Sequence, residues 1–372
     1  MKNDIIGLVD FHNAPNLGPL TESRTLGSTS FLGRYAFCDF ALSNFCNSEI
    51  ANVGLLIKDH ERSVLKHLGN MNAWFTNTKI GKETIMYNER GILNPTYNTD
   101  INNIRENDWV LYDSSASYIV FQSSHIVANV DLRPIIAEHI ERKESITVVY
   151  TKVKDASQEF LSSNTCEIDE EGYLKPCRNR HKKGPANVSM EIWVINRTVL
   201  ADIIKRHATV NELYGLKEML VYLCQIGAYK IHTCEYKGYA RCFDSFEHYC
   251  QYCFELLNDK PARALFDAAW PHYTLTHDTP PALYGENASV TNSFVANGAV
   301  IDGEVNDSII SRQVKIGKGS KIHNCIVFSN VSIGEDCIIE NALIDKYSII
   351  TKGHSVKGDG KTMTYLKQGA II

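Results

Sequence analysis

A repeat in the C-terminal part of the chain constrains the fold more than any other sequence feature. After Gly285, apolar residues recur near positions 310, 316, 322, 328, 333, 339, 344 and 350, with Gly, Asn and Asp between them. A period of about six is the signature of a parallel β-helix, whose apolar residues point into a narrow core. We therefore predict a left-handed parallel β-helix with hexapeptide repeats over 285–372. A β-sandwich is the alternative, but its strands would show a period of two.

The residues before this repeat follow a different pattern, in which short apolar runs alternate with amphipathic segments. Strands are predicted at 4–9, 51–58, 118–122, 145–153 and 191–197, and helices at 37–50, 60–69 and 131–143. Such alternation predicts a Rossmann-like, doubly wound parallel α/β domain over 1–258, closed by a helix-rich stretch at about 198–260. Residues 259–284 contain several prolines and are interpreted as a linker.

Composition limits the partners and the compartment. The net charge of -5 gives no basic balance that would favour nucleic acid or an anionic membrane. No apolar run approaches the roughly 18 residues of a membrane-spanning helix. The eleven cysteines are scattered and odd in number, which favours free thiols in a reducing cytosol. We expect a cytoplasmic protein.

Four segments carry a resemblance to a known family. They are PLTESR (19–24), FLGRYAFCDFALSNFCNSEI (31–50), VSMEIW (188–193) and GYARCFDSFEHY (238–249). They resemble the glucose-1-phosphate adenylyltransferase (ADP-glucose pyrophosphorylase) family, collinearly over nearly the whole chain. The resemblance implies a nucleotidyltransferase domain in which glucose 1-phosphate attacks the α-phosphate of ATP. Such chemistry requires a Gly-rich phosphate loop, basic groups and Mg²⁺ held by carboxylates.

The phosphate loop departs from the family pattern. GGxGxRLxPLT stands here as FHNAPNLGPLT (11–21), so the glycine positions hold Phe11, His12 and Ala14, and the arginine position holds Asn16. Side chains at 11 and 12 are expected to fill the space that the phosphates need. Arg24 of the next basic motif remains, whereas the motif's lysine is replaced by Leu26.

The two metal carboxylates of the family are also replaced. The family's Gly-Asp-His motif reads Ser123-Ser124-His125, so Ser124 stands at the first metal position, and Cys242 stands at the second. A serine hydroxyl and a soft thiol do not suit a hard dication. We predict that the Mg²⁺ site is lost, with no other cofactor. Asp244 remains as an alternative carboxylate two residues after Cys242.

Some basic residues remain candidates for binding an anionic ligand. Lys175 precedes Pro176 as in the family's sugar-phosphate motif, although Leu174 replaces the usual Glu. A cationic run follows, which is usually a solvated loop but can bind a phosphate or an effector. The ligand-binding candidates are therefore Arg24, Lys175, Arg178, Arg180, Lys182 and Lys183.

Two further motifs have ordinary interpretations. Cys250-x-x-Cys253 lies in a helical apolar pattern, which favours core cysteines over a zinc or redox site. His354 follows the last regular coil, which argues against the catalytic histidine of a hexapeptide acyltransferase.

The combined losses favour a divergent, GlgD-type regulatory subunit of the resembled family. The resemblance implies a heterotetramer with the catalytic subunit, which the chain would activate for glycogen synthesis. Two alternatives remain open: an active enzyme with a substituted site, and a nucleotide or sugar-phosphate sensor without turnover. A homo-oligomer in the absence of the partner is also left open.

Overall fold

The computed structural model describes residues 4–75, 82–112, 115–175, 181–360 and 362–372. As predicted, an N-terminal α/β domain precedes a left-handed β-helix. The helices are α1 (Cys38–Asn47), α2 (Glu61–Leu68), α3 (Glu89–Leu93), α4 (Asp100–Glu106), α5 (Trp109–Tyr112), α6 (Leu132–Glu141), α7 (Arg197–Val210), α8 (Leu216–Gln225), α9 (Phe246–Glu255) and α10 (Asp259–Leu265), with 3₁₀ turns at Gly18–Thr21, Leu26–Ser28 and Pro95–Tyr97. None of the described helices combines the length and apolar character needed to cross a membrane.

The strands divide between the two domains. Those of the α/β domain are β1 (Ile5–Asp10), β2 (Ser30–Phe31), β3 (Tyr35–Ala36), β4 (Asn52–Ile57), β5 (Lys82–Tyr87), β6 (Tyr118–Ser123), β7 (Ile126–Ala128), β8 (Ile146–Val153), β9 (Ala186–Asn196), β10 (His232–Glu235) and β11 (Ala240–Cys242). Those of the β-helix are β12 (Leu283–Tyr284), β13 (Ser289–Thr291), β14 (Phe294–Val295), β15 (Val300–Ile301), β16 (Glu304–Asn306), β17 (Ile309–Ile310), β18 (Lys315–Ile316), β19 (Lys321–His323), β20 (Ile326–Val327), β21 (Ser332–Ile333), β22 (Ile338–Glu340), β23 (Ala342–Ile344), β24 (Ile349–Ile350), β25 (Ser355–Lys357) and β26 (Thr364–Leu366).

The main sheet is mixed, which corrects the prediction of a wholly parallel sheet. Within the described part of the chain its order is β10-β8-β9-β6-β1-β4-β5. Strand β9 runs antiparallel to both β8 and β6, whereas the other neighbours are parallel. A parallel crossover needs a connection that packs on the sheet, usually a helix. The described residues between β8 and β9 form no helix, and the chain returns along β8 instead.

Both faces of this sheet are covered, which explains the continuous apolar runs in its strands. Every residue of β1 is buried. Ile5 and Val9 belong to the cluster that contains Phe45 of α1, whereas Leu8 packs in the opposite cluster with residues of α4, α7 and α8. The carboxyl ends of β1 and β6 thereby open onto a region bounded by helix termini, where α/β proteins bind ligands.

The segment predicted as a linker is partly structured. Its first residues form α10, and its middle part is fixed to α1. The indole N–H of Trp270 donates to the Asn44 side chain at 3.0 Å, and the Tyr273 amide donates to Ser43 Oγ at 2.9 Å. Because these bonds join residues more than 220 positions apart in the chain, the local proline-rich composition could not reveal them.

The β-helix stacks its strands into parallel sheets, described as β12-β15-β18-β21-β24, β13-β16-β19-β22-β25 and β14-β17-β20-β23-β26. Inward residues pair in register from coil to coil, as Val305, Ile322, Ile339 and Val356 do. Asn and Asp occupy one corner of successive coils with positive φ, a conformation that these two residue types tolerate best. The corner residues are Asn292, Asp307, Asn324 and Asn341.

The two domains share an apolar core and a buried ion pair. Phe31 and Phe243 of the α/β domain cluster with Phe328 of the β-helix. The Arg24 guanidinium donates two hydrogen bonds to Asp345, both at 2.8 Å, and both side chains are buried. The Tyr365 hydroxyl donates to the same carboxylate at 2.6 Å.

We predict that Asp345→Asn destabilises the chain by about 3 kcal/mol, because it leaves the buried Arg24 charge without its partner. Denaturant unfolding of wild type and variant measures this difference. Glu335→Gln is the matched control, since the Lys352–Glu335 pair is mostly exposed and screened by solvent, so its loss should change the free energy of unfolding far less. Equal, small effects of the two substitutions would contradict the assigned importance of the buried pair.

Candidate functional site

The structure brings the two substituted metal positions to the same edge of the sheet. Ser124 directly follows β6, and Cys242 ends β11, which pairs with β7 so that Cys242 lies opposite Ile126. The Ser162 hydroxyl lies 3.3 Å from Cys242 Sγ and 3.4 Å from His125 Nε2. The resemblance thus pointed to two segments that share this edge of the sheet, and Ser162 lies between Cys242 and His125.

These residues do not fit a hard divalent cation. Cys242 is fully buried, and burial, followed by the charge of Asp244, raises the pKa of its thiol well above the usual value. The Ser124 hydroxyl is buried as well, and burial lowers the pKa of His125 to about 3, so the imidazole is neutral. Magnesium prefers carboxylate and phosphate oxygens. Neither position offers a carboxylate.

The alternative carboxylate, Asp244, already has partners for both oxygens. Its Oδ2 accepts a hydrogen bond from the Leu161 amide at 2.6 Å, and its Oδ1 contacts Nδ1 of His248. An oxygen that is held by these groups would have to release them before it could bind a metal. The arrangement gives no support to a metal site rebuilt on Asp244.

The ring of Phe11 fills space at the start of 11–21, the segment that we predict to correspond to the family's phosphate loop. Phe11 is 2% exposed and packs in the main core cluster. A Cβ atom placed on Gly27 would lie 2.4 Å from this ring and 3.0 Å from the Cβ of Ser124. The Phe11 ring and Ser124 therefore both lie close to Gly27, and a phosphate group could not share the volume that the ring fills.

The other substituted loop residues are engaged inside the protein. Nε2 of His12 lies 3.0 Å from the Asn103 amide nitrogen, and burial lowers the pKa of His12 to about 4. Asn16 Oδ1 accepts hydrogen bonds from the Gly18 amide and the Thr21 hydroxyl. Ala14 packs, partly buried, against the interdomain core. The loop is held by its own side chains.

A small polar cavity of about 20 Å³ is what remains beside the loop. A nucleotide needs a pocket of several hundred Å³, whereas this cavity has room for about one water-sized group. Lys217 and Glu191 both line this cavity. Lys217 Nζ lies 3.3 Å from Glu191 Oε1 and donates to the Ser162 carbonyl at 2.9 Å. Glu191 is buried with φ of +52°, a backbone conformation that usually selects glycine.

The predicted ligand-binding residues do not gather at one place. Arg24 is bound to Asp345, as described above. Lys175, Lys182 and Lys183 are exposed and line a separate surface depression of about 450 Å³ near the start of β9. Arg178 and Arg180 lie outside the described residues.

Sequence reasoning missed a basic cleft between the two domains. Its larger part has a volume of about 680 Å³, and an adjoining pocket of about 260 Å³ shares several of its lining residues. We call the two together the interdomain cleft. Its basic and histidine side chains are Arg24, Arg34, His60, Arg62, Lys66, His67, His277, Arg312 and Lys346. His60, Arg62, Lys66 and His67 lie together on or beside α2, but the other residues come from distant parts of the chain, so no local sequence pattern indicated the whole cleft.

Several of these cations have no acidic partner. Among the described residues, no ion pair involves Arg34, Arg312 or Lys346. Burial lowers the pKa of Lys346 to about 8, with a further contribution from the charge of Arg24. Burial and the charge of Arg34 lower the pKa of Arg312. Concentrated, partly desolvated positive charge of this kind favours an anion.

Comparisons with known proteins agree with the two-domain architecture. Residues 14–160 match the family described as nucleotidyl transferase, and 280–365 match the GlmU-like C-terminal hexapeptide family. The whole chain is 29% identical to the glycogen biosynthesis protein GlgD of Bacillus subtilis, of which 97% is covered. The glucose-1-phosphate adenylyltransferase of Bacillus cytotoxicus is 25% identical, with coverage of 97% of this chain and 96% of the relative. That of Fervidobacterium nodosum is 26% identical, with coverage of 95% and 85%.

The lowered pKa of Lys346 makes the stability of the chain depend on pH. In the folded chain this pKa is about 8, below its value in the unfolded chain. Between these two pKa values the unfolded chain therefore binds more protons than the folded chain. The contribution of Lys346 to stability therefore rises as the pH increases from about 8 towards 10. We expect Lys346→Met to be more stable than wild type by about 2 kcal/mol at pH 7, and this gap to shrink by half or more at pH 10.

Denaturant unfolding at both pH values measures this gap. Lys352→Met removes an exposed lysine and serves as the control, whose difference from wild type should change little with pH. A gap for Lys346→Met that is the same at pH 7 and pH 10 would show that the buried ammonium does not destabilise the folded chain.

Proposed function

The chain belongs to the glucose-1-phosphate adenylyltransferase family, and from this membership we propose that it is a non-catalytic regulatory subunit. The GlgD relative is named for glycogen biosynthesis, and the other relatives are named for the adenylyltransferase reaction. We infer that the chain acts with a catalytic homologue that makes ADP-glucose from ATP and glucose 1-phosphate. The cytoplasm is the corresponding compartment.

The filled edge of the main sheet is the observation that carries this proposal. By the family resemblance, Phe11 stands at a glycine position of the phosphate loop, and Ser124 and Cys242 stand at the metal carboxylate positions. All three side chains are buried, and the Phe11 ring lies against Gly27. Phosphoryl transfer depends on positioning of the reacting groups and on neutralisation of the phosphate charge, and these residues supply neither. The apolar clusters that surround this edge are continuous, so the substitutions have been accommodated in a packed domain.

The proposed partner is the catalytic subunit, in a heterotetramer built from symmetric pairs. A subunit without chemistry changes the rate only if it binds one state of its partner better than another. The expected effect is stabilisation of the competent state, seen as higher turnover or a changed response to effectors.

Activity alone and in mixture tests the proposal. With ATP, Mg²⁺ and glucose 1-phosphate, the isolated chain should form ADP-glucose at less than about one thousandth of the rate of the catalytic homologue from the same genome. Mixing the two proteins should give co-elution on size exclusion and an altered rate per catalytic subunit. Substantial activity of the isolated chain, or neither association nor a rate change, would contradict the regulatory role.

Restoring the metal carboxylates serves as the control for the cause of inactivity. Ser124→Asp combined with Cys242→Asp should remain inactive, because the ring of Phe11 still occupies the phosphate position. Strong activity of this double variant would show instead that the metal site alone had been lost.

The interdomain cleft favours anion sensing as a second candidate function. Its unpaired cations come from both domains, so a bound phosphate would link α2, the loop at Arg34 and the β-helix. This accords with a sensor that binds a phosphorylated metabolite without turnover. Binding of an anionic ligand by Lys175, Lys182 and Lys183 remains a separate prediction, because these residues lie outside the interdomain cleft.

Titration with inorganic phosphate and pyrophosphate tests anion binding. Arg312→Gln should weaken binding at least tenfold, because it removes a charge-assisted hydrogen-bond donor from the cleft. Lys315→Gln, on the exposed outer face of the β-helix, should leave binding unchanged. Wild-type binding weaker than about 10 mM, or equal loss in both variants, would remove the sensing function.

A further inference from the structure

Two buried carboxylates beside the closed loop have no cationic partner. Asp10 ends β1, Asp100 begins α4, and both side chains are buried. Within the described ranges, no ion pair involves either residue. The nearby ammonium of Lys217 pairs with Glu191 instead. Each carboxylate accepts backbone N–H hydrogen bonds, Asp10 from His12 at 2.8 Å and Asp100 from Leu216 at 2.8 Å, but neither has an ion-pair partner within the described ranges. Two buried carboxylates that lie close together without a cation favour the binding of positive charge between them.

A single amide group joins these carboxylates. Nδ2 of Asn13 donates to Asp10 Oδ2 at 2.7 Å and to Asp100 Oδ2 at 2.9 Å. Both oxygens therefore face the same point. If the Asn13 amide turns over, its Oδ1 is presented to that point as a third oxygen.

A neighbouring hydroxyl without a partner lines the same cavity. Ser123 is 2% exposed, and its Oγ has no hydrogen-bond partner. Ser123 is the register partner of Asp10 on the adjacent parallel strand, so the two side chains lie on the same side of the sheet. Together with Asp10, Asn13 and Asp100, it lines the cavity of about 20 Å³.

We propose that Asp10, Asn13, Asp100 and Ser123 form a binding site for one small, hard divalent cation of the Mg²⁺, Mn²⁺ or Ca²⁺ class. All four side chains supply oxygen ligands, which suits these ions and does not suit zinc or copper. The site differs from the substituted catalytic positions Ser124 and Cys242.

The role of this ion is structural. Asp100 Oδ1 accepts the amide of Leu216, the first residue of α8, at 2.8 Å. A cation on Asp10 and Asp100 would therefore tie the ends of β1 and β6 to the first turns of α4 and α8. The inference is independent of the regulatory role, since it concerns the stability of the chain alone.

Thermal unfolding of the chelator-stripped full-length chain tests the site. Addition of MgCl₂, MnCl₂ or CaCl₂, at matched ionic strength, should raise the midpoint by several degrees for at least one ion. Elemental analysis after equilibration with that ion should find one ion per chain. Asp100→Asn should abolish the rise, and it should not lower the midpoint in the absence of metal, because it removes a buried charge without changing shape.

Two serine variants keep the proposal falsifiable if Asp100→Asn fails to fold. Ser123→Ala removes a proposed ligand and should weaken cation affinity roughly tenfold. Ser124→Ala is the matched control at the next residue and should leave the affinity unchanged. The proposal is overturned if wild type binds no stoichiometric ion, if Ser123→Ala responds as wild type does, or if Ser124→Ala alone weakens binding.

Discussion

The burial of the Phe11 ring against Gly27, close to Ser124, is the constraint on which the rest of the site depends. The ring occupies the carboxyl edge of the main sheet, where an open α/β domain would accept a ligand. With that space filled, Ser124 and Cys242 have no phosphate-bound metal to hold. Their neutral side chains avoid the cost of a buried charge, although among the described residues the buried Ser124 hydroxyl has no hydrogen-bond partner. The charged groups Glu191 and Lys217 pair with each other.

Much of the fold was predictable because its signals are local. The six-residue period of the β-helix and the alternation of apolar runs with amphipathic helices each arise from neighbouring residues. The direction of β9 was not predictable in the same way. It is set by pairing with β8 and β6, and the residues between β8 and β9 carry no periodic pattern.

The site was predictable only where a family pattern supplied the correspondence. Ser124 and Cys242 lie far apart in sequence, and only the family resemblance predicted that they would lie at the same edge of the sheet. The interdomain cleft has no such pattern, because Arg34, Lys66 and Lys346 come from a loop, a helix and a coil of the β-helix. Arg24 illustrates the limit, because an arginine that matches a basic motif of the resembled family forms an interdomain ion pair with Asp345.

A crystal structure of the chain soaked with ATP and Mg²⁺ tests the central claim most directly. We expect the Phe11 ring to stay against Gly27 and no nucleotide to occupy the carboxyl ends of β1 and β6. Phosphate density confined to the interdomain cleft would be consistent with that prediction. A nucleotide bound between Phe11 and Ser124, with the ring displaced, would contradict it.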